Sequence, residues 1–144
     1  VMLAESEKSA KSIIDTFYGM NKNILLQEFI KESNSEDIRV LVAGDKIISS
    51  MKRKGLEDDF RSNIHRGGSG FKVNLTDTEN TIAIKAANYL GLPIAGVDLI
   101  RSKKGSLVIE VNSTPGLQGI ETCTRVNVGE RIIKYIEKKC STKS

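Results

Sequence analysis

Apolar residues at Ala10, Ile13, Ile14 and Phe17 follow the i, i+3, i+4, i+7 spacing of a helix with one buried face, which predicts a helix over roughly 4–20 ended by Gly19 and Asn21. Short, mostly apolar runs then predict strands over 24–30, 36–43 and 46–53, the last two joined by a tight Gly44-Asp45 turn. Residues 54–70 break every period and carry Gly55, Gly67, Gly68 and Gly70 among charged side chains. A long aperiodic stretch inside a compact domain is either functional or a plain linker. Thr76, with Glu79 three residues on, forms a capping-box signature for a second helix through Ile82, Ala83, Ala86, Ala87 and Leu90, stopped by Gly91. Strands follow over 94–101 and 106–111, then a loop over 113–119 holding Pro115 and Gly116. The final helix runs over 128–139, with Ile132, Ile133 and Ile136 as its stripe. Helices mixed with antiparallel hairpins, without strict alternation, make the fold class α+β.

Composition narrows the partners. Hydrophobic residues are 39% of the 144 and charged residues 28%, with both signs interspersed, as in a globular chain with a real core. No apolar run is long enough to cross a bilayer, and no signal-peptide pattern is present, so no membrane partner is expected and the expected location is the cytoplasm. The net charge of +4 and seven Phe and Tyr residues supply a poor platform for single-stranded nucleic acid. Cys123 and Cys140 lack metal-ligand spacing and read as free thiols of a reducing compartment. The apolar start Val1-Met2-Leu3 leads straight into a helix and reads as the edge of a fragment.

The sharpest chemistry lies on the hairpin around Lys103-Lys104-Gly105. A three-residue loop ending in Gly centres the hairpin on Lys104, so paired residue numbers sum to 208. Arg101 then faces Leu107, Ile100 faces Val108, and Asp98 faces Glu110. Alternation puts Glu110 and Asn112 on one face, with Leu107, Ile109 and Val111 on the other. A loop of two or four residues would shift this register by one. Like charges opposite each other on a ladder repel, so something positive belongs between Asp98 and Glu110. Two carboxylates and an amide oxygen suit Mg²⁺ or Mn²⁺; the competing reading is an exposed face neutralised by lysines. The small residues of Asn112-Ser113-Thr114-Pro115-Gly116 let backbone N–H groups approach an anion.

Three blocks, in order, resemble a known family. Ala95-Gly96-Val97-Asp98 with 108–117 (Val-Ile-Glu-Val-Asn-Ser-Thr-Pro-Gly-Leu) resembles the metal-binding signature of ATP-grasp enzymes. Gln27-Glu28-Phe29-Ile30 is similar to the adenine-reading strand of that superfamily, and 59–68 (Asp-Phe-Arg-Ser-Asn-Ile-His-Arg-Gly-Gly) to the signature of its RimK-type glutamate ligases. The resemblance covers roughly 1–139. It implies the C-terminal core of an ATP-grasp fold, a mostly antiparallel sheet flanked by helices. Residues 1–26 would be the end of a lid subdomain and a connecting helix, and 27–140 the nucleotide- and metal-binding core. The N-terminal domain and most of the lid, with its phosphate-covering loop and lysine, would precede Val1.

The resemblance also implies roles. Asp98 and Glu110 would hold one Mg²⁺ or Mn²⁺, and Glu110 and Asn112 a second. Glu28 and Phe29 would meet adenine, and Asp37 the ribose. Arg61, Ser62 and Asn63 would contact the nucleotide, with Arg61 supplying charge to the phosphates as the catalytic residue. Ile109 would either line the adenine pocket or fill the core. Arg53 and His65 are softer candidates for a substrate carboxylate or phosphate. The implied reaction joins L-glutamate to a carboxylate acceptor through an acylphosphate at the expense of ATP. The namesake's acceptor, the C-terminus of a small-subunit ribosomal protein, is the first expectation; pterin or deazaflavin cofactors and a lysine-biosynthesis carrier protein are alternatives. The resemblance also implies a homo-oligomer, a dimer or tetramer, for the full-length form. Outside the ligase class stand a basic RNA- or ribosome-binding module using Lys52-Arg53-Lys54 and the Arg66-Gly67-Gly68 loop, and an inactive structural fragment; the former would weaken steeply with salt and ignore Mg²⁺ and ATP.

Overall fold

The computed structural model describes residues 1–56 and 68–141. Two compact units emerge, Val1–Lys31 and Glu32–Ser144. In the first, helix α1 spans Glu7–Gly19. Ser6, rather than a residue near Ala4, starts it: the Ser6 hydroxyl accepts from the Ser9 amide and the Ser9 hydroxyl accepts from the Ser6 amide, a reciprocal cap that satisfies two helix-end donors. The strand expected over 24–30 does not form. Leu25 and Leu26 are 83% and 65% exposed, so apolar content alone does not make the run a ladder member.

In the second unit, β1 (Glu36–Ala43), β2 (Lys46–Lys54), β3 (Ser69–Lys72), β4 (Ile94–Ser102) and β5 (Gly105–Asn112) form one antiparallel sheet in the order β3-β2-β1-β4-β5. The expected α+β class and mostly antiparallel sheet are thus present. The short edge strand β3 straddles the end of the aperiodic stretch and was not read, since four residues with glycine among them carry no readable alternation. Helix α2 (Asp77–Tyr89) starts at the Thr76–Glu79 capping box, as read from sequence. Helix α3 (Gln118–Thr124) falls within and after the expected 113–119 loop. It has no side-chain cap and only seven residues, so its start carries no signal. Helix α4 (Val128–Ser141) closes the chain.

Strand β1 is central and apolar on both faces. Ile38, Val40 and Val42 point to one side and pack with Val97, Leu99, Ala83 and Ala87, so that α2 covers this face. Leu41 and Ala43 point to the other side and pack with Met51, Ile120 and Val128 under α3 and α4. Period-2 alternation therefore places Asp37 and Arg39, on the same face as Leu41, beside that second core. Removing a side chain as deeply buried as Ile120, which is 0% exposed, costs roughly 2–5 kcal/mol. This rigid floor fixes the polar half of the same face.

The β4–β5 hairpin corrects one expectation. Ser102 pairs with Gly105, so the loop has two residues, and Gly105 takes φ +109° where a side chain would be strained. Near the turn, paired numbers sum to 207: Arg101 faces Ser106, Ile100 faces Leu107 and Leu99 faces Val108. A bulge then inserts Ile109, and Asp98 faces Glu110 after all. Leu107 consequently shares the face of Asp98, not that of Val111.

Candidate active site

The polar half of this face is a row of charges laid across four strands. Arg53 on β2 is opposite Asp37 on β1, Arg39 on β1 is opposite Asp98 on β4, and Asp98 is opposite Glu110 on β5. Arg53 donates to both oxygens of Asp37, Nε to Oδ1 at 2.7 Å and Nη2 to Oδ2 at 2.6 Å. Its Nη2 also donates to Asp98 Oδ2 at 2.8 Å. Arg39 forks onto Asp98, Nε to Oδ1 at 2.8 Å and Nη2 to Oδ2 at 2.7 Å. Bidentate guanidinium–carboxylate pairs combine charge with fixed geometry. Asp37, Arg53 and Asp98 are all less than a tenth exposed, so each charge needs its partner. Burial works against the charge on Arg53. The hydrogen bond to Asp37 and the charges of Asp98 and Asp37 outweigh it and hold the guanidinium above its ordinary pKa.

The positive charge demanded by the facing carboxylates is thus supplied to Asp98 by Arg39 and Arg53. Sequence reading had singled out Arg53 but missed Arg39. The signal was available: a charged residue at an inner position of a strand otherwise buried on both faces calls for a paired opposite charge. Glu110 is exposed and has no described guanidinium partner. Asn112, two residues on and opposite Gly96, accepts the Thr114 amide on Oδ1 at 2.8 Å. The next residue, Pro115, lies over Gly96: a β-carbon added there would stand 2.7 Å from Pro115 Cβ.

Two carboxylates and an amide oxygen on one face of adjacent strands fit a hard divalent cation that keeps water or phosphate as its remaining ligands. Asp98 retains capacity for it. A carboxylate offers about four acceptor directions, and among the described residues three N–H donors engage this one. Among the described residues no cluster of three His, Cys, Asp or Glu side chains is placed to hold a metal ion.

The other expected residues fall elsewhere. Asp37 is buried and engages Arg53 with both oxygens. Ile109, the extra residue of the β5 bulge, is half-buried. Glu28 and Phe29 belong to the first unit, in the segment after α1, and both are exposed. Arg61, Ser62, Asn63 and His65 lie outside the described residues.

Comparison with known proteins agrees with this architecture. The model of the RimK-like ATP-grasp domain matches residues 1–136. A probable alpha-L-glutamate ligase 1 of Shewanella oneidensis is 54% identical over 138 residues, 96% of this chain and 46% of the relative. A probable alpha-L-glutamate ligase of Chromohalobacter salexigens is 52% identical over 142 residues, 99% of this chain and 47% of the relative. The chain thus spans about half the length of the curated relatives it matches. Among solved structures, D-alanine–D-alanine ligase from Bacillus anthracis complexed with ATP superposes with a TM-score of 0.62 at 13% identity, over 96% of this chain and 50% of that one. The ATP-grasp ligase PsnB, complexed with a precursor variant, Mg and ADP, gives 0.57 at 24% identity, over 72% and 33%. These structural likenesses speak to the fold, and the sequence match to the lineage: the chain belongs to the RimK-like ATP-grasp domain family.

Proposed function

We propose that this chain is the nucleotide- and metal-binding core of an ATP-dependent ligase that joins L-glutamate to a carboxylate acceptor. The observation that carries the reading is the Asp98–Glu110 pairing, with Asn112 on the same face, in a chain whose relatives are named alpha-L-glutamate ligases. Asp98, Glu110 and Asn112 would hold Mg²⁺ or Mn²⁺. When bound, the cation neutralises the phosphate oxygens of ATP as charge shifts during phosphoryl transfer.

The acceptor carboxylate attacks the γ-phosphorus of ATP, the bond to ADP breaks, and an acylphosphate results. The amine of glutamate then attacks the acyl carbon; phosphate departs with the bonding pair and the amine loses a proton to solvent. Neither step needs a nucleophilic side chain. The protein's part is positioning and electrostatics. Asp37 holds Arg53, and Arg53 with Arg39 holds Asp98, so the carboxylate that would meet the cation is fixed before ligand arrives. Arg61, Ser62 and Asn63 are proposed to contact the nucleotide, Glu28, Phe29 and Ile109 its base, and Asp37 its ribose; His65 is proposed to meet substrate. For the acceptor, the likeness of 59–68 to the RimK-type block favours the C-terminus of a small-subunit ribosomal protein.

Calorimetric titration of ADP with and without Mg²⁺ tests the reading. It is applied to the chain alone and to the chain joined to the portion of the Shewanella oneidensis relative that it does not match. Nucleotide binding that requires Mg²⁺ and is lost in Glu110→Ala supports it; in that event the joined protein is assayed for glutamate incorporation into candidate acceptors. Binding that ignores both Mg²⁺ and Glu110 overturns it.

A further inference from the structure

A second concave site lies at the other end of β1. A cavity of 650 Å³ opens between the Gly44-Asp45 turn and α4. Its floor is apolar, built from Ala43, Ile47, Ile48 and the Tyr135 ring. Tyr135 is itself seated against the turn, since a β-carbon on Gly44 would stand 2.7 Å from its Cε2. The rim is cationic: Lys46 from β2, and Arg131, Lys134, Lys138 and Lys139 from α4, against one carboxylate, Asp45. Ala43 is four residues beyond Arg39 along β1, so the cavity sits about 13 Å from the charged row at the strand rise of about 3.3 Å per residue.

Lysines in the last turn of a helix are ordinary, because they offset the helix dipole, and Lys138 and Lys139 alone would mean nothing more. Lys46 and Arg131 do not fit that account. Lys46 comes from a strand, and Arg131 sits in the first half of α4, donating Nη1 to the Ile48 carbonyl at 2.7 Å. Lys134 is paired with Glu130, which leaves the rim still in cationic excess. A volume of several hundred Å³ with an apolar floor is larger than an inorganic anion needs. Four of the five rim cations are lysines, point charges on flexible stems spread around the opening, and the one guanidinium, Arg131, is turned to the Ile48 carbonyl and makes no fork onto a phosphate.

From this charge complementarity and shape we infer that the cavity is a docking site for an acidic peptide segment. An apolar side chain of the segment would enter the floor and flanking carboxylates would meet Lys46 and the α4 lysines. The inference stands independently of the ligase reading.

The probe is a fluorescein-labelled peptide with one leucine between paired glutamates, followed by anisotropy and by amide shifts of the whole chain. Binding is expected to weaken about tenfold between about 50 and 300 mM NaCl. Shifts are expected at Gly44, Ile47 and Tyr135, with Asp98 and Glu110 unmoved. Lys46→Glu/Lys139→Glu is expected to weaken binding at least about tenfold. Lys46→Ala/Lys139→Ala, which adds no repulsion, should weaken it less while leaving the melting temperature in place. The matched glutamine peptide should bind at least about tenfold more weakly than the glutamate one. Equal affinity for both peptides, shifts confined to the Arg39–Asp98 row, or displacement by polyuridylate at lower concentration than by unlabelled peptide would each overturn the inference.

Discussion

Pro115 occupies the space that a side chain at Gly96 would need. The added β-carbon would meet Pro115 Cβ at 2.7 Å, Pro115 Cγ at 3.5 Å and Leu41 Cδ2 at 3.6 Å. A stiff proline ring on one side and the buried Leu41 side chain on the other leave little to give way. Gly96→Ala is therefore expected to push the 113–117 segment off the sheet, at a cost of roughly 1–3 kcal/mol. Because Asn112 directly precedes that segment, Mg²⁺-dependent ADP binding should weaken by more than the stability loss implies. Gly116→Ala is the control: nothing lies within 4 Å of its added β-carbon. Thermal melts and ADP titrations of the two variants, side by side, check this. Equal behaviour would remove Gly96 as the socket that sets the Asn112 turn.

Arg53 and Arg39 should differ in what their loss costs, although both grip Asp98. Arg53 ties two buried carboxylates, Asp37 and Asp98, whereas Arg39 forks onto Asp98, which keeps Arg53 when Arg39 is removed. Breaking one side of a buried pair costs about 3–5 kcal/mol. Arg53→Ala is expected at that level, and Arg39→Ala, at a side chain 16% exposed, at about half of it. Arg53→Lys should recover only part of the loss, since an ammonium cannot fork onto one carboxylate while reaching another. Urea unfolding of the three variants measures the order.

The α2 cap predicts an acid limit. Glu79 is 1% exposed. Its carboxylate accepts from Arg101 Nε at 2.7 Å and Nη2 at 2.9 Å, from Ser106 Oγ at 2.8 Å and from the Thr76 amide at 3.0 Å. The Arg101 hydrogen bond lowers its pKa most; burial opposes this, and the Thr76 and Ser106 bonds add to the lowering, which brings it to about 2. The folded value lies below the unfolded carboxylate's 4.5. The stabilisation is therefore complete above about pH 4.5 and fades as pH falls toward 2. Melting temperature should drop through that window, and Glu79→Gln should flatten the drop while lowering stability at neutral pH by roughly 1–3 kcal/mol. An unchanged acid slope in the variant would assign the acid limit to other carboxylates.

Much of this was legible in the chain because local signals agreed with the global fold. The 3.6-residue stripe, the Thr76–Glu79 box and the Gly44-Asp45 turn each carry their own physics, and strands β1, β2, β4 and β5 came out within a residue or two. What escaped lacked such a signal. Strand β3 is four residues long, and α3 has no side-chain cap. The exposed run over 24–30 looks like a strand only by composition. The hairpin is more instructive. A two-residue loop, which alone would have put Glu110 out of register with Asp98, is compensated by the Ile109 bulge. Two departures from the expected ladder cancel at the position where the carboxylates meet. Arg39 was missed because the facing carboxylates were weighed against a metal cation or exposed lysines, without asking what β1 carried on the same face.

Asp98 and Glu110 face each other yet should respond oppositely to neutralisation. Asp98 is 4% exposed and engaged by two guanidinium groups, so Asp98→Asn weakens both and is expected to cost about 2–4 kcal/mol. Glu110 is exposed, and its charge opposes a like charge across the ladder. In metal-free buffer, Glu110→Gln should therefore leave stability unchanged or raise it by a few tenths of a kcal/mol. Millimolar Mg²⁺ with ADP should then raise the melting temperature of the unsubstituted chain and not that of Glu110→Gln, because a ligand that binds only the folded state stabilises it by mass action. The two signs belong together. A Glu110→Gln variant that is destabilised without metal would make Glu110 a structural partner of the sheet, and one that still responds to Mg²⁺ and ADP would remove it from the cation site.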